Sequence, residues 1–154
     1  MVQVGEQAPS FTLLTDDERE VSLKDYRGKK VVLYFYPKDG TPGCTTEAVE
    51  FRDVAKEFER ENAVILGVSK DSAKSHQKFK QKHGLPFTLL SDPEGKTLDR
   101  YGVWKKKSLY GRTFLGTERT TFLIDEEGIV QKIYRKVKAK GHAQVCLLDL
   151  KGSS

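Results

Sequence analysis

The stretch that decides the fold is YFYPKDGTPGCTTEA, residues 34–48. It begins inside the apolar run Val31–Tyr36, stops at Pro37, crosses a loop rich in proline and glycine, and restarts as a helical pattern with Cys44 at its beginning. The pattern predicts a buried strand followed by a helix whose first turn carries a thiol. Unpaired backbone N–H groups and the helix dipole stabilise negative charge there, so the position favours a reactive thiolate.

Length and composition describe a globular protein without membrane spans. The chain has 154 residues, of which 37% are hydrophobic and 32% charged, and it is predicted to form one domain over residues 1–154. No apolar run reaches the roughly 20 residues of a transmembrane helix. The first residues lack the charged and then apolar pattern of a signal peptide. We therefore expect a cytoplasmic protein with no membrane partner.

The net charge of +5 raises the question of a polyanionic partner. The 27 basic residues are interleaved with 22 acidic ones, apart from Lys105–Lys107 and the region 132–140. A nucleic-acid binder concentrates its basic residues on one element. Trp104 beside the lysines is interpreted as a packed aromatic residue and not as a base-stacking one. We expect no nucleic-acid partner.

Strand and helix signals alternate along the chain. Apolar residues at 48, 51, 55 and 58 predict an amphipathic helix from about Thr45 to Glu61, and residues 102–116 have no clear period and are predicted to be a long loop. The remaining predicted elements are a hairpin over 11–23, strands 31–36, 63–69 and 87–90, helix 72–83, a short helix ending at 101, a hairpin over 120–134 and a closing helix over 141–151. A thioredoxin-like α/β fold satisfies this order, with a mixed central sheet flanked by helices and an added N-terminal β-hairpin.

The cysteines and histidines form no recognisable ligand pattern. Cys44 and Cys146 lie far apart, without a CxxC pair or zinc spacing, so no metal or other cofactor is predicted. His76, His83 and His142 are interpreted as residues at polar positions on separate helices. A hydrolase with a Cys–His pair therefore has little support.

The loop before the thiol fits the pattern P-x-x-x-T-x-x-C over residues 37–44. Pro37 ends the strand by removing a hydrogen-bond donor, and Gly40 and Gly43 permit backbone geometry that bulky residues resist. Thr41 places a hydroxyl where it can orient a small oxygen-containing substrate. An ordinary cysteine thiol is only a few per cent ionised near neutral pH, so the helix start and a nearby cation increase the reactive fraction.

This loop resembles the active-site signature of the peroxiredoxins, in particular their Q-type or bacterioferritin-comigratory branch. Further similar segments follow in the family's order and extend the likeness over nearly the whole chain: Tyr101–Trp104, Tyr110–Arg112, Glu118–Asp125 and Gly141–Ala143. The resemblance implies a peroxidase without metal or organic cofactor. It would reduce hydrogen peroxide and small organic hydroperoxides through a cysteine sulfenic acid.

The resemblance also assigns roles to individual residues. Cys44 would be the peroxidatic thiolate, Thr41 would hydrogen-bond the peroxide, and Pro37 would shield the thiolate from water. Arg119 would hold Cys44 ionised and stabilise the leaving oxygen. The residues agree independently, because Arg119 directly precedes the buried strand 120–124, and arginine does not lose its charge.

Gly43 and Glu47 complete the predicted substrate pocket. Backbone N–H groups near Gly43 can point at a bound oxygen. Glu47 lies in the first turns of the helix, where we expect a capping-type bond to the loop backbone. It could also accept a proton, but the structural role takes priority.

One position departs from the common family pattern. Many relatives carry a resolving cysteine where this chain has Val49, so the sulfenic acid must be resolved by another route. An external thiol from thioredoxin, glutaredoxin or a small molecule could reduce Cys44, or Cys146 could resolve it. Val49 could also replace a natural cysteine in an engineered variant. We favour one-cysteine behaviour in a monomer, with Cys146 as a small buried core residue.

Two other classes of function remain open at this level. A thioredoxin-like thiol–disulfide oxidoreductase is disfavoured because CxxC is absent and no proline precedes the strand at Thr121. A non-catalytic redox sensor or chaperone-like protein would also carry a reactive Cys44. Repeated turnover of peroxide distinguishes an enzyme from a sensor.

Overall fold

The structure is a computed structural model that describes residues 1–152. The last two residues of the predicted domain, Ser153 and Ser154, lie outside the described residues. The strands are β1 (Thr12–Thr15), β2 (Glu20–Ser22), β3 (Lys30–Phe35), β4 (Ala63–Ser69), β5 (Thr88–Ser91), β6 (Trp104–Leu109), β7 (Arg112–Thr117), β8 (Thr120–Ile124) and β9 (Val130–Tyr134). The α-helices are α1 (Pro42–Asp53), α2 (Ala55–Arg60), α3 (Ala73–His83), α4 (Lys96–Arg100) and α5 (His142–Lys151), and a 3-10 turn spans Leu23–Tyr26.

A seven-stranded mixed sheet forms the centre, in the order β2-β1-β5-β4-β3-β8-β9. Strands β3, β4 and β5 are parallel, whereas β8 pairs antiparallel with β3, and β9 with β8. The N-terminal hairpin β1–β2 joins the sheet through β5. The mixed sheet and the added hairpin agree with the predicted architecture.

Strand β3 is buried on both faces, as its uninterrupted apolar sequence predicts. Because side chains alternate along a strand, Val32 and Tyr34 pack into one core cluster with α1 and α5. Leu33 and Phe35 face a second cluster on the other side of the sheet. The strand that leads to the proline-glycine loop before Cys44 is therefore held between two layers.

Tyr34 fixes the position of α1 over the sheet. Its ring stacks on Phe51 of α1 with centroids 4.8 Å apart. Gly67 is the register partner of Tyr34 on β4, and a Cβ atom there would lie 2.8 Å from Tyr34 Cζ. Only glycine leaves room for this ring, so β4, β3 and α1 are packed as one unit.

The predicted helix from Thr45 to Glu61 is wrong as a single element. Helix α1 starts earlier, because proline is tolerated in the first turn, where its missing N–H would have no partner. The helix then ends at Val54, whose φ of −116° and ψ of 13° interrupt the pattern before α2. Val54 and the aromatic rings of Phe51 and Phe58 pack in the same core cluster. The sequence period does not indicate this break, since an unbroken helix would also place Phe51 and Phe58 on one face.

The predicted loop over residues 102–116 is also wrong. Strands β6 and β7 form a separate two-stranded hairpin, paired from Trp104 with Thr117 to Leu109 with Arg112. Positive φ angles of 52° at Tyr110 and 77° at Gly111 are the pattern of a two-residue hairpin turn. This ribbon is largely exposed, so its sequence, which includes the lysine run, lacks the alternating apolar pattern by which a strand is recognised. The Tyr-Gly pair was the signal that could have revealed it.

Candidate active site

Cys44 lies in the first turn of α1, directly beyond the end of β3. Thr41 is the residue before the helix and has an extended backbone, with φ of −79° and ψ of 154°. The thiol is only 1% exposed. The local order of strand, proline-glycine loop and helix places the sulfur among free backbone N–H groups at the positive end of the helix.

Arg119 reaches the thiol from the neighbouring strand. It precedes β8, whose Thr120 pairs with Phe35 at the end of β3, so the two strand ends lie side by side. Its Nη2 atom donates a hydrogen bond to Cys44 Sγ at 3.4 Å. The structure therefore brings together two residues that are far apart in sequence, at a distance where a guanidinium stabilises a negatively charged sulfur.

Glu47 lies one helical turn beyond Cys44 and pairs with the same arginine. Nη1 of Arg119 donates to Glu47 Oε1 at 2.7 Å, and the Glu47 side chain is fully buried. The predicted capping bond to the loop backbone is therefore wrong, because the carboxyl faces inward to Arg119. Among residues 1–152, the other oxygen, Oε2, has no hydrogen-bond partner.

Burial and the neighbouring charges shift the pKa values of Glu47 and Arg119 in opposite directions. Burial raises the pKa of Glu47 to about 7, although Arg119 opposes part of that shift. Burial would lower the pKa of Arg119, but Glu47 and Cys44 outweigh it and raise the pKa. The guanidinium therefore stays charged, while Glu47 changes its protonation state near neutral pH.

Gly43 leaves room for the guanidinium. A Cβ atom at this position would lie 3.2 Å from Arg119 Nη2. Its backbone is not in the left-handed region, in contrast to Gly40 with φ of 79°. Both glycines were predicted to permit backbone geometry that bulky residues resist. Gly40 does adopt such a conformation, whereas Gly43 permits the close approach of the Arg119 side chain.

Thr41 and Pro37 lie in the loop in front of the thiol. The Thr41 hydroxyl donates to the Lys38 carbonyl oxygen at 2.8 Å and so closes the loop on itself. Pro37 is exposed directly after the buried Tyr36. The peroxide-binding role of Thr41 and the shielding role of Pro37 stay predictions.

Cys146 lies in α5 within the same core cluster as Cys44. It is fully buried, and both cysteines are free. Burial raises the pKa of Cys146, and its Sγ lies 3.3 Å from His142 Nε2. Burial also lowers the pKa of His142 to about 4, which leaves a neutral imidazole beside a neutral thiol. Val49, on α1, is half-buried.

The prediction for the histidines is wrong. His76 and His83 share α3, and His76 and His142 are buried rather than at polar surface positions. His76 lies with Asp39 and Asp71 in a cluster whose ligand-type atoms are within 4.8 Å of one another. Protein groups already hydrogen-bond to both carboxylates of this cluster. No periodicity or spacing in the sequence indicates it, because the three residues come from separate segments.

Comparison with known proteins identifies the family. A profile of the AhpC/TSA family matches residues 4–133. The peroxiredoxin Bcp of Bacillus subtilis is 52% identical over 153 residues, covering 99% of this chain and 98% of that protein. The chain is a peroxiredoxin of the AhpC/TSA family.

Solved structures agree with this assignment. A cysteine-to-serine mutant of PrxQ from Xylella fastidiosa superimposes with a TM-score of 0.94 at 38% identity, covering 99% of this chain and 98% of that one. A mutant of peroxiredoxin Q from Xanthomonas campestris has a TM-score of 0.90 at 44% identity, covering 94% and 92%. The predicted thioredoxin-like fold is confirmed. The peroxiredoxin is an oxidoreductase enzyme, a thiol peroxidase, as the resemblance implied.

Among residues 1–152 of the peroxiredoxin, no helix is both long enough and apolar enough to pass through a membrane.

Burial of the Glu47 carboxyl makes the stability of the peroxiredoxin depend on pH. The carboxyl has a folded pKa of about 7 against an ordinary value of 4.5, so the folded state holds its proton more tightly. This stabilisation is complete below pH 4.5 and is lost as the pH rises through about 7. We expect a loss of at most about 3 kcal/mol in the free energy of unfolding, since one pKa unit corresponds to about 1.4 kcal/mol.

Urea denaturation at a series of pH values measures this dependence, with Glu47→Gln as the matched variant. The difference between the wild type and Glu47→Gln should change over this pH window and be constant on either side. Parallel pH profiles for the two proteins would show that Glu47 does not titrate there.

Proposed function

We propose that this peroxiredoxin reduces hydrogen peroxide and small organic hydroperoxides by a one-cysteine cycle with Cys44 as the nucleophile. The observation that carries the proposal is the 3.4 Å hydrogen bond from Arg119 to the sulfur of Cys44 in the first turn of α1. Helix dipole and guanidinium both favour the thiolate, which is the nucleophilic form of cysteine. Neither a metal nor an organic cofactor takes part in the proposed cycle.

In the first step the Cys44 thiolate attacks one oxygen of the peroxide. The S–O bond forms as the O–O bond breaks, the sulfur is oxidised to a sulfenic acid, and the leaving oxygen departs as hydroxide or alkoxide. That oxygen takes up a proton and leaves as water or alcohol. The step consumes one peroxide and one proton for each thiolate.

The neighbouring residues divide the work of this step. Arg119 stabilises the thiolate and then the negative charge on the leaving oxygen, which is where a preorganised donor has its largest effect. Glu47 holds the guanidinium through Oε1, and Gly43 leaves it space. Thr41 orients the peroxide through its hydroxyl, and Pro37 limits the access of water.

An external thiol resolves the sulfenic acid in this cycle. It attacks the sulfur of Cys44, water leaves, and a mixed disulfide forms; a second thiol then releases Cys44 in its reduced state. Val49 supplies no thiol on α1, and the burial and raised pKa of Cys146 oppose its attack on Cys44. Thioredoxin, glutaredoxin or a small-molecule thiol can fill this role.

The same features support a proposal for the cellular setting. We infer a single domain over residues 1–154 that acts as a monomer in the cytoplasm, without nucleic-acid or membrane partners. Two free cysteines suit a reducing compartment. The interleaved charges and the shared central sheet support the absence of polyanionic partners and the single domain.

Replacing Cys146 tests the one-cysteine cycle. We expect Cys146→Ala to keep peroxide turnover within about twofold of the wild type with either thioredoxin or dithiothreitol, since a buried core thiol takes no part in the chemistry. Turnover is followed as peroxide consumption, and mass spectrometry of the peroxide-treated protein should show no disulfide between the two cysteines.

The two reductants distinguish the possible results. Loss of turnover with thioredoxin, while dithiothreitol still supports it, would make Cys146 the resolving thiol. Equal loss with both reductants, together with a lower urea midpoint, would show that Cys146→Ala disturbs the fold; Cys146→Ser then repeats the test with a side chain of similar size.

A further inference from the structure

The loop in front of the thiol, residues 37–41, is tied to the opposite side of the site by one side chain. The Asp39 carboxylate accepts hydrogen bonds from Tyr36 Oη at 2.6 Å and from Ser75 Oγ at 2.8 Å. Its Oδ2 atom also lies 2.7 Å from His76 Nδ1. Asp39 thus connects the end of β3 to the start of α3 across the loop.

His76 continues this connection into the sheet. Its Nε2 atom lies 3.0 Å from the carbonyl oxygen of Leu90 in β5. A carbonyl oxygen only accepts, so Nε2 carries a hydrogen, and the ring orientation is set from both sides. The His76 side chain is 0% exposed and that of Asp39 is 6% exposed. The contact is therefore shielded from water.

A backbone hydrogen bond from Asp39 attaches the loop at a second point. The Asp39 N–H donates to Asp71 Oδ2 at 2.8 Å. Asp71 is itself held, because Ser69 Oγ donates to the same oxygen at 2.6 Å and Ser91 Oγ donates to the Asp71 carbonyl oxygen at 2.5 Å. The loop therefore rests on groups anchored in β4 and β5, which belong to the rigid sheet.

We propose that Asp39 and His76 form a buried clasp that positions the active-site loop over Cys44. This proposal rests on the proposed function, since it assigns the loop a part in the reaction of Cys44. Gly40 has a positive φ and Thr41 bonds within the loop, so neither residue holds the loop against the sheet. The clasp does so and thereby sets where the Thr41 hydroxyl and Pro37 lie.

The rate at which Cys44 reacts with peroxide should therefore depend on Asp39 and His76, although neither residue contacts the sulfur or the peroxide. Misplacing a positioning group by about 1 Å can cost about 10²-fold in rate. Replacing His76 leaves the buried Asp39 carboxylate with fewer partners, which weakens the attachment of the loop although the bonds from Tyr36 and Ser75 remain. Asp39 and His76 are thus positioning residues.

The test compares His76→Gln and Asp39→Asn with His83→Gln. His83 lies on the same helix but takes no part in the clasp, which makes it the matched control. Two rates are measured for each protein: the second-order rate of oxidation by hydrogen peroxide, and the rate at which iodoacetamide alkylates each cysteine, resolved by peptide mass spectrometry. The fully buried Cys146 reports opening of the whole fold.

We expect both clasp variants to react with peroxide about 10- to 100-fold more slowly than the wild type. Alkylation of Cys44 should become at least about tenfold faster, while alkylation of Cys146 stays unchanged, because only the loop opens. His83→Gln should match the wild type in every rate. A simple loss of stability would instead expose both cysteines together.

The opposite results overturn the proposal. Parallel acceleration of alkylation at Cys44 and Cys146 would assign Asp39 and His76 to general stability, and unchanged rates at Cys44 would leave them without a positioning role. The alkylation rates do not depend on peroxide chemistry. If the proposed function is wrong and Cys44 is not the nucleophile, the clasp variants and the wild type should react with peroxide at equal rates. The predicted alkylation pattern would then still be observed.

Discussion

Cys44→Ser is expected to abolish peroxide consumption, with a fall of roughly a thousandfold or more, the scale on which removing a catalytic nucleophile acts. A serine hydroxyl at this position is not ionised near neutral pH and does not form a sulfenic acid. Arg119 and the start of α1 would then have no thiolate to stabilise. Peroxide consumption with excess dithiothreitol measures the effect directly.

The control for this replacement is a second cysteine change that leaves Cys44 in place. Cys146→Ser removes the other thiol of the chain and should retain turnover with dithiothreitol. The urea midpoints of both variants show that each is folded. Normal peroxide consumption by folded Cys44→Ser would refute the assignment of the nucleophile.

Arg119→Met is expected to lower the rate of peroxide reduction by about 10²- to 10³-fold, the range observed when one donor to a developing oxyanion is removed. The change removes the contact to Cys44 Sγ and the charge that stabilises the leaving oxygen. Stopped-flow measurement of the first oxidation step isolates this effect from the later reduction by thiol.

Matched variants separate charge from packing at Arg119. Arg112→Met removes an exposed arginine of β7 and should leave the rate unchanged. Arg119→Lys keeps the charge but not the planar fork that contacts Cys44 and Glu47 together, so it should recover only part of the rate. A full rate in folded Arg119→Met would show that the helix start alone activates the thiol.

The hydrogen bond from Arg119 to Glu47 orients the guanidinium towards Cys44 without cancelling its positive charge. A carboxyl with a pKa of about 7 offers the guanidinium a partner whose charge is incomplete at neutral pH. A fully ionised partner would offset more of the positive charge that Cys44 experiences. The buried Oε1 thus orients Arg119 while leaving much of its field for the sulfur.

Several elements could be predicted because their cause is local. The uninterrupted apolar run at β3, the proline that ends it and the helix that carries Cys44 follow from strand burial, the missing N–H of proline and helical periodicity. The likeness of residues 37–44 to a known active site was visible for the same reason. All of its residues lie in one short segment.

The errors arose where the local pattern carries no signal or where packing outweighs it. The break at Val54 lies inside a period of apolar residues that continues from Phe51 to Phe58. The exposed ribbon β6–β7 has a two-residue turn but no buried face, so its lysines concealed it. Glu47 faces Arg119 instead of the loop backbone, because the antiparallel pairing of β8 with β3 delivers a cation to its side of α1.

The sequence by itself determined that a thiol stands at a helix start behind a proline-glycine loop, because neighbours along the chain set the helix dipole and the backbone freedom of that loop. Only the tertiary structure decided which distant groups meet it. Strand pairing brings Arg119 to the sulfur, and the packing of α3 on β5 brings His76 to Asp39. Contacts between segments depend on register and burial over the whole sheet, which no single segment encodes.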